Sequence, residues 1–166
     1  MNNNLLLILL LFISFNSISQ GIVPSLGATY GTEIKTVGAN LRAYYFFNHH
    51  ICLGPEISYF PKHNLHHKDV SLLELNITGH YVFEITEQLG FYPLTGINYS
   101  IEKETAHNET LSHNALGINL GAGLHYKLNN ILPFIEYKYI TGDLSQNVYS
   151  AGILIMLEKK TKKTNH

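Results

Sequence analysis

The sequence contains no tryptophan, one cysteine and few charged residues for its length. Asp, Glu, Lys and Arg make up 14% of the 166 residues, against about 25% in a typical soluble domain. The single cysteine, Cys52, excludes an internal disulfide. The formal net charge of −1 gives no basic surface that would favour a nucleic-acid partner. What remains is a chain of one-domain length whose composition is unusual for a solvated surface.

The one long apolar run lies at the N-terminus. Residues 5–15 read LLLILLLFISF, which is too short for a membrane-spanning helix and typical of a signal-peptide core. Ser17 and Ser19 place small residues three and one positions before a cut ahead of Gln20. We therefore predict a cleaved signal peptide over residues 1–19 and export of the chain, with an uncleaved membrane anchor as the alternative. No later segment has the roughly 18 continuous apolar residues of a spanning helix.

Two-residue alternation of apolar and polar side chains continues through the rest of the chain. It predicts strands that often exceed the five or six residues usual in soluble sheets. The eight predicted strands span residues 21–31, 35–47, 51–62, 70–85, 89–103, 114–128, 131–142 and 147–157. Short turns alternate with looser polar connections, the short ones at residues 48–50, 86–88 and 129–130 and the looser ones around residues 31–35, 61–69, 104–113 and 143–146. This order predicts an antiparallel up-and-down meander.

The alternation gives each strand an apolar face and a mixed face. Arg42 and Glu56 share the mixed face, and a turn closed by Phe47 and Ile51 places them opposite each other. The apolar face is aliphatic in its middle and carries Tyr or Phe near both strand ends. Two aromatic girdles around an aliphatic band match a lipid bilayer. The mixed face, rich in Gly, Asn, Ser and Thr, suits a crowded lumen. A soluble lipocalin-like barrel with the apolar face inside is the alternative fold.

These features predict an all-β fold, an eight-stranded antiparallel up-and-down transmembrane β-barrel over residues 20–157 with a basic tail at residues 158–166. In its signal sequence, strand number, girdles and connections, the chain resembles the small bacterial outer-membrane β-barrel proteins of the OmpA/OmpX type. The resemblance implies a monomer in the bacterial outer membrane, surrounded by outer-membrane lipid and inserted by the outer-membrane assembly machinery. The chain departs from such barrels at Leu157, where they commonly end on an aromatic residue.

Eight strands enclose a lumen that side chains just fill, which disfavours an open porin channel. Charges buried there must be paired or hydrogen-bonded. We therefore predict an internal polar network, and its candidate members are Arg42, Glu56, Glu74, His80, Glu84, His125, Lys127, Glu136 and Lys138. A gated path for small solutes through the same lumen is the alternative.

Three histidines on a predicted outer loop, His63, His66 and His67, form a second candidate site. Imidazole is a common ligand of zinc and copper, so metal capture is a hypothesis beside the simpler interpretation of exposed histidines. No Ser, His and acidic pattern points to catalysis, so we predict no enzymatic activity, catalytic residue or cofactor. By analogy with the fold, we expect a structural or surface-recognition role, in adhesion or envelope integrity, through the outer loops. The surface ligand is not specified by the sequence.

Overall fold

The computed structural model describes residues 21–65, 68–106 and 109–156. In these ranges, strand segments form one antiparallel sheet that closes on itself through β4 and β6. The segments are β1 (Ile22–Gly31), β2 (Thr36–Phe46), β3 (Ile51–Leu65), β4 (Lys68–Tyr81), β5 (Phe83–Glu84), β6 (Leu89–Ala106), β7 (Glu109–Tyr126), β8 (Ile131–Ile140) and β9 (Gln146–Ile155).

The short β5 continues β4 beyond Val82 and pairs with β6 in the same register, so the segments are the eight strands of an up-and-down barrel. The predicted eight-stranded antiparallel barrel is confirmed. None of the described residues forms a helix long and apolar enough to cross a membrane. The predicted signal peptide, Leu157 and the basic tail lie outside the described residues.

Three short turns lie at one end of the barrel, here called the turn end. Asn48 Oδ1 accepts hydrogen bonds from the backbone N–H groups of His50 and Ile51, both at 2.8 Å. Leu128 and Ile131 exchange backbone hydrogen bonds of 2.8 and 2.9 Å across a two-residue turn. Asn129 adopts the positive φ, 53°, that this turn requires. Local side-chain chemistry therefore sets where these strands reverse.

The opposite end, here called the hairpin end, differs from the prediction. The prediction of long loops at residues 61–69 and 104–113 is wrong. The strand β3 continues to Leu65 and β4 begins at Lys68, while β6 continues to Ala106 and β7 begins at Glu109. The strand pattern is hidden there because both faces carry polar side chains, so the two-residue alternation disappears from the sequence.

Four strands therefore extend past the rest of the barrel wall. The β2–β3 pairing ends at Ala39 opposite Tyr59, and the β7–β8 pairing starts at Asn119 opposite Ile140. Beyond these points β3, β4, β6 and β7 remain paired with one another. Their extensions, residues 61–65, 68–71, 101–106 and 109–117, are here called the protruding sheet.

The barrel is inverted relative to a soluble protein. On its outside, Leu120 and Ile135 are 51% and 61% exposed, whereas inside, Lys138 and Glu56 are 0% and 1% exposed. Aromatic side chains flank the aliphatic band, as predicted. Tyr137 and Tyr149 are neighbours toward the hairpin end, with ring centroids 5.3 Å apart. Tyr81 packs 4.7 Å from Phe83 toward the turn end. This distribution is that of a bilayer-spanning barrel, with an outward apolar band and aromatic interfaces.

Candidate functional site

The middle of the lumen contains four charged side chains in direct contact. Arg42 on β2 and Glu56 on β3 are register partners, as the sequence predicts. Their closest oppositely charged partners are nevertheless on β8, because Arg42 Nη1 donates to Glu136 Oε2 at 2.7 Å and Lys138 Nζ donates to Glu56 Oε1. Arg42 Nε lies 3.8 Å from Glu56 Oε2. Two cations and two carboxylates thus neutralise each other across the lumen, which burial requires.

Side-chain amides and hydroxyls extend the polar contacts of the lumen. Asn40 Nδ2 donates to Glu56 Oε1 and to Ser58 Oγ, each at 2.9 Å. Further along the lumen, Asn98 and Asn119 each donate to Asn76 Oδ1 at 2.9 Å. These bonds satisfy groups that would otherwise be costly to bury. The lumen is therefore held by two groups of side-chain hydrogen bonds, one around the four charges and one around Asn76.

Glu74 has a hydrogen-bond partner, Gln146, that is not among the predicted members of the polar network. Gln146 Nε2 donates to Glu74 Oε1 at 2.6 Å, and both side chains are buried. Gln146 is the first residue of β9, one position before the predicted strand at 147–157. Gln146 lies an even number of residues before the inward-pointing Ser150, so strand alternation would place both side chains in the lumen.

His80 and His125 belong to an aromatic stack at the turn end of the lumen. The His80 ring lies 4.4 Å from Tyr44 and 4.7 Å from Tyr92, and the half-buried His125 lies 5.8 Å from Tyr92, measured between ring centroids. Tyr92 OH also donates to Glu136 Oε2 at 3.2 Å. The stack therefore connects these histidines to the charged network through one tyrosine.

Glu84 and Lys127, which are predicted to belong to the lumen network, lie at its turn end and line a cavity there together with His80 and His125. Both side chains are exposed at the turn end. Glu84 ends the two-residue β5, and Lys127 follows the last residue of β7. Both therefore lie at the mouth of the lumen, where side chains on the inward face still contact solvent.

Apolar clusters fill the lumen on both sides of the charged network. The turn-end cluster consists of Val23, Tyr44, Cys52, Leu132, Phe134 and Leu154. The hairpin-end cluster consists of Ile34, Phe60, Val70 and Leu72, with Leu144 packed against it. Arg42 Cζ lies 4.6 Å from the centre of the Phe134 ring, a cation–π contact between network and turn-end cluster. The sequence did not reveal these clusters, because their residues are scattered along the mixed faces.

A model of the outer membrane protein beta-barrel domain family matches residues 12–155. The chain belongs to this family. The family and the barrel fold together place the protein in the bacterial outer membrane. A comparison with curated proteins finds no match.

Solved outer-membrane barrels have the same fold. Ail, the attachment invasion locus protein of Yersinia pestis, is 20% identical with a TM-score of 0.62, over 82% of this chain and 96% of that chain. The N-terminal beta-barrel domain of Pseudomonas aeruginosa OprF is 15% identical with a TM-score of 0.68, over 82% and 97%. Neisserial surface protein A is 14% identical with a TM-score of 0.61, over 82% and 96%. At these identities the likeness concerns the fold alone.

The outer-membrane barrel has a cavity at each end of its lumen. In this class of barrel the short turns face the periplasm, so the hairpin end faces the outside. The turn-end cavity, of about 310 Å³, is lined by the aromatic stack and Arg42. The hairpin-end cavity, of about 540 Å³, is lined by residues of β4, β6, β8 and β9 and of the connections beside them. Glu56 and Lys138 line neither cavity and lie between them.

The histidine site of the outer-membrane barrel remains a prediction. His63 Nδ1 lies 3.1 Å from the backbone oxygen of Pro61, while His66 and His67 lie outside the described residues. Within the described ranges, no group of three or more His, Cys, Asp or Glu side chains is arranged to hold a metal ion.

Proposed function

We propose that this barrel is a non-enzymatic surface protein of the bacterial outer membrane, in which the lumen has a structural role and the protruding sheet recognises a partner outside the cell. The observation that carries the proposal is the continued pairing of β3, β4, β6 and β7 beyond the barrel rim. Because these four strands remain paired above the membrane, they present side chains and backbone groups at a fixed distance from the lipid.

The filled lumen supports a structural role and argues against a pore. Arg42, Lys138, Glu56 and Glu136 occupy its middle in mutual contact, and apolar clusters lie on either side of them. A solute path would have to break buried ion pairs and displace both clusters. Such pairs are costly to separate in a low-dielectric lumen.

The two outer edges of the protruding sheet differ. The β3 edge carries Pro61 and Lys62, and Lys62 Nζ forms an exposed ion pair with Asp69 Oδ2 at 2.9 Å. Proline and lysine are residues that protect edges from pairing with other chains. The β7 edge carries Leu111, 59% exposed, among polar neighbours from Glu109 to Asn114. An extended segment of a partner could add to this second edge through backbone hydrogen bonds.

Adhesion is the specific form of recognition that we propose. A protein of similar fold is named for attachment and invasion, which supports this choice without transferring its partner to this chain. We further infer that the mature protein is a monomer that begins at Gln20 after signal cleavage and is inserted by the assembly machinery. The intact mass of the purified protein tests the cleavage, since retention of residues 1–19 would contradict it.

A shortened β6–β7 hairpin tests the recognition surface. Residues 101–114 are replaced by Asn-Gly, which preserves the register of Ser100 opposite Ala115 and supplies a two-residue turn. We expect this variant to fold, with the usual mobility shift between unheated and boiled samples on SDS gels. Cells that express it should lose retention on surfaces coated with purified host-type proteins or polysaccharides, relative to cells that express the wild type.

The matched control shortens the other hairpin. Replacing residues 64–69 by Asn-Gly preserves His63 opposite Val70 and removes the tip of the protected edge. We expect this control to retain adhesion. Equal retention on the coated surfaces of cells that express the wild type and of cells that express each of the two variants would contradict the recognition role of the protruding sheet. Stepwise conductance of the wild type in planar bilayers would contradict the filled lumen and favour a solute path instead.

A further inference from the structure

The outer wall of the barrel carries a groove on its lipid-facing side, here called the wall groove. Its volume is about 650 Å³, and its lining comes from six neighbouring strands, from β2 through β1, β9, β8 and β7 to β6. Three alanines on the outward faces of their strands, Ala28, Ala151 and Ala122, form its floor. Elsewhere on the outward face, larger side chains such as Ile97 and Ile118 are more than half exposed. The groove is therefore a recess in the apolar band, where methyl groups stand in place of longer side chains.

The rim of the wall groove is apolar and aromatic. Toward the hairpin end it consists of Tyr30, Tyr149 and Tyr137, which are successive register partners across β1, β9 and β8. Toward the turn end it is completed by Leu124 and Phe91. The polar residues that border the groove have buried side chains on the lumen side of the wall, and they are Thr29, Glu136 and Ser150. The groove therefore offers contacts to hydrocarbon, with phenol groups at its hairpin end.

The length and slope of the wall groove match one leaflet of a bilayer. Its ends are Val37 on β2 and Phe91 on β6, and the path between them crosses β1, β9, β8 and β7. Five steps between strands, at about 4.8 Å each, give a length of roughly 24 Å. Because the strands of such barrels tilt by about 35–45°, a line across them descends by roughly 15 Å. This is half of the hydrocarbon core, which is about 30 Å thick.

Continuity with the lipid-facing band decides what occupies the wall groove. The groove opens on the apolar surface that the bilayer covers, so lipid chains already lie against it. A single hydrocarbon chain can reach the alanines between the rim side chains, whereas the convex wall of a second barrel would rest on the rim. Lipid and wall are equally apolar, so exclusion from water does not hold the chain in place. Dispersion contacts with the floor and both rims do so, because a chain on the convex wall has contacts on one side only.

We propose that the wall groove holds one acyl chain of an outer-leaflet lipid, which stays bound while the lipids around the rest of the wall exchange. The headgroup of this lipid lies beside Tyr30 and Tyr149, since tyrosine rings favour the headgroup boundary. Its chain descends over Ala28 and Ala151, which are register partners across the β1–β9 pair. The bound chain therefore lies across the seam where the first and last described strands meet. Neither the lumen nor the protruding sheet takes part in this site.

Native mass spectrometry of the full mature chain tests the wall groove. The protein is reconstituted in vesicles of dipalmitoyl phosphatidylcholine, extracted in a mild detergent and freed of detergent in the spectrometer. We expect the wild type to retain one lipid. In Ala151→Phe the occupancy should fall roughly tenfold, because the phenyl ring fills the groove and removes the dispersion contacts of the chain.

Two further variants complete this experiment. Ala122→Phe fills the groove from another strand and should lose the lipid as Ala151→Phe does, so the test does not depend on the folding of one variant. The matched control is Ile97→Phe, which places the same ring on the outward face away from the groove and should retain the lipid. The gel mobility shift verifies that each variant is folded.

Three results would overturn the proposal. They are a wild type that retains no lipid, equal occupancy in the wild type and the two alanine variants, and an equal loss of lipid in Ile97→Phe. A mass of two chains in the wild type that Ala151→Phe abolishes would also overturn it, since a second copy would then cover the groove. The shortened hairpin variants leave the lining of the groove intact, so the adhesion experiment and this one fail separately.

Discussion

The barrel has a short half and a long half that share one lumen. The strands β8, β9 and β1 have 10 residues each and β2 has 11. The strands β3 and β4 have 15 and 14 residues, and β6 and β7 have 18 each. A transmembrane strand needs about 9–11 residues to cross the hydrocarbon core. The short half therefore matches the bilayer, and the long half continues past it.

This difference shows that the bilayer requires apolar side chains on the outer face of a strand but does not limit the length of the strand. In the long half, Tyr59 and Tyr99 are girdle residues, yet β3 and β6 continue to Leu65 and Ala106. The backbone ladder persists there because neighbouring strands still supply hydrogen-bond partners. Only the requirement for an apolar outer face is lost.

Buried polar contacts connect the two halves across the lumen. Lys138 on β8 donates to Glu56 on β3, and Gln146 on β9 donates to Glu74 on β4. Strands that are not neighbours in the wall are thus joined through its interior.

The largest effect should come from breaking this connection. Lys138→Met removes the cation nearest to Glu56 and leaves a buried carboxylate short of a partner, so we expect a loss of about 3–5 kcal/mol in the free energy of unfolding. Because the chain has no tryptophan, unfolding in urea is best followed by the gel mobility of unheated samples. Lys127→Met, at an exposed position, is the control. Identical urea midpoints for Lys138→Met and the wild type would contradict the role of the network.

A smaller effect should separate the membrane part of a long strand from its extension. Leu120 and Leu111 both lie on β7 with similarly exposed side chains, but only Leu120 is in the part paired with β8. Leu120→Arg should cost about 2–4 kcal/mol, because it places a charge in lipid. Leu111→Arg should change stability by less than about 0.5 kcal/mol, as expected for a solvated surface position.

The measurement is the free energy of unfolding of both arginine variants in lipid vesicles. Equal losses in the two variants would mean that the bilayer reaches Leu111 and that the extension of β7 does not lie outside the membrane.

The smallest effect concerns one residue in the connections at each end. Lys35 has a φ of 52° at the hairpin end, and Asn129 has a φ of 53° at the turn end. Left-handed backbone is unfavourable for lysine and tolerated by asparagine. Lys35→Gly should therefore raise the unfolding free energy by about 1 kcal/mol, and Asn129→Gly should leave it nearly unchanged. A lower urea midpoint for Lys35→Gly than for the wild type would refute this.

Local information was enough to predict part of the structure. The opposition of Arg42 and Glu56 follows from alternation and one turn, so it could be read from neighbouring residues. The outward apolar face and the turn at Asn129 were predictable for the same reason. These features depend on chemistry within one hairpin.

Contacts between distant strands could not be predicted in this way. The choice of Glu136 as the closest charged partner of Arg42 depends on barrel closure, strand tilt and side-chain reach across the lumen. The sequence predicts a loop at residues 104–113 because solvent wets both faces of the strand extensions there. Gln146 is absent from the predicted network because the predicted strand begins at residue 147, one residue after the observed start of β9.

The Arg42–Glu136 pair has a consequence for how the molecule resists coming apart. Strands β1 and β9, the first and last of the described chain, lie side by side between β2 and β8. The pair therefore spans the seam where the two chain ends meet. Separating β1 from β9 at that seam requires two buried opposite charges to move apart. The resulting barrier acts on the rate of unfolding, so the protein should persist in its membrane far longer than its equilibrium stability alone would imply.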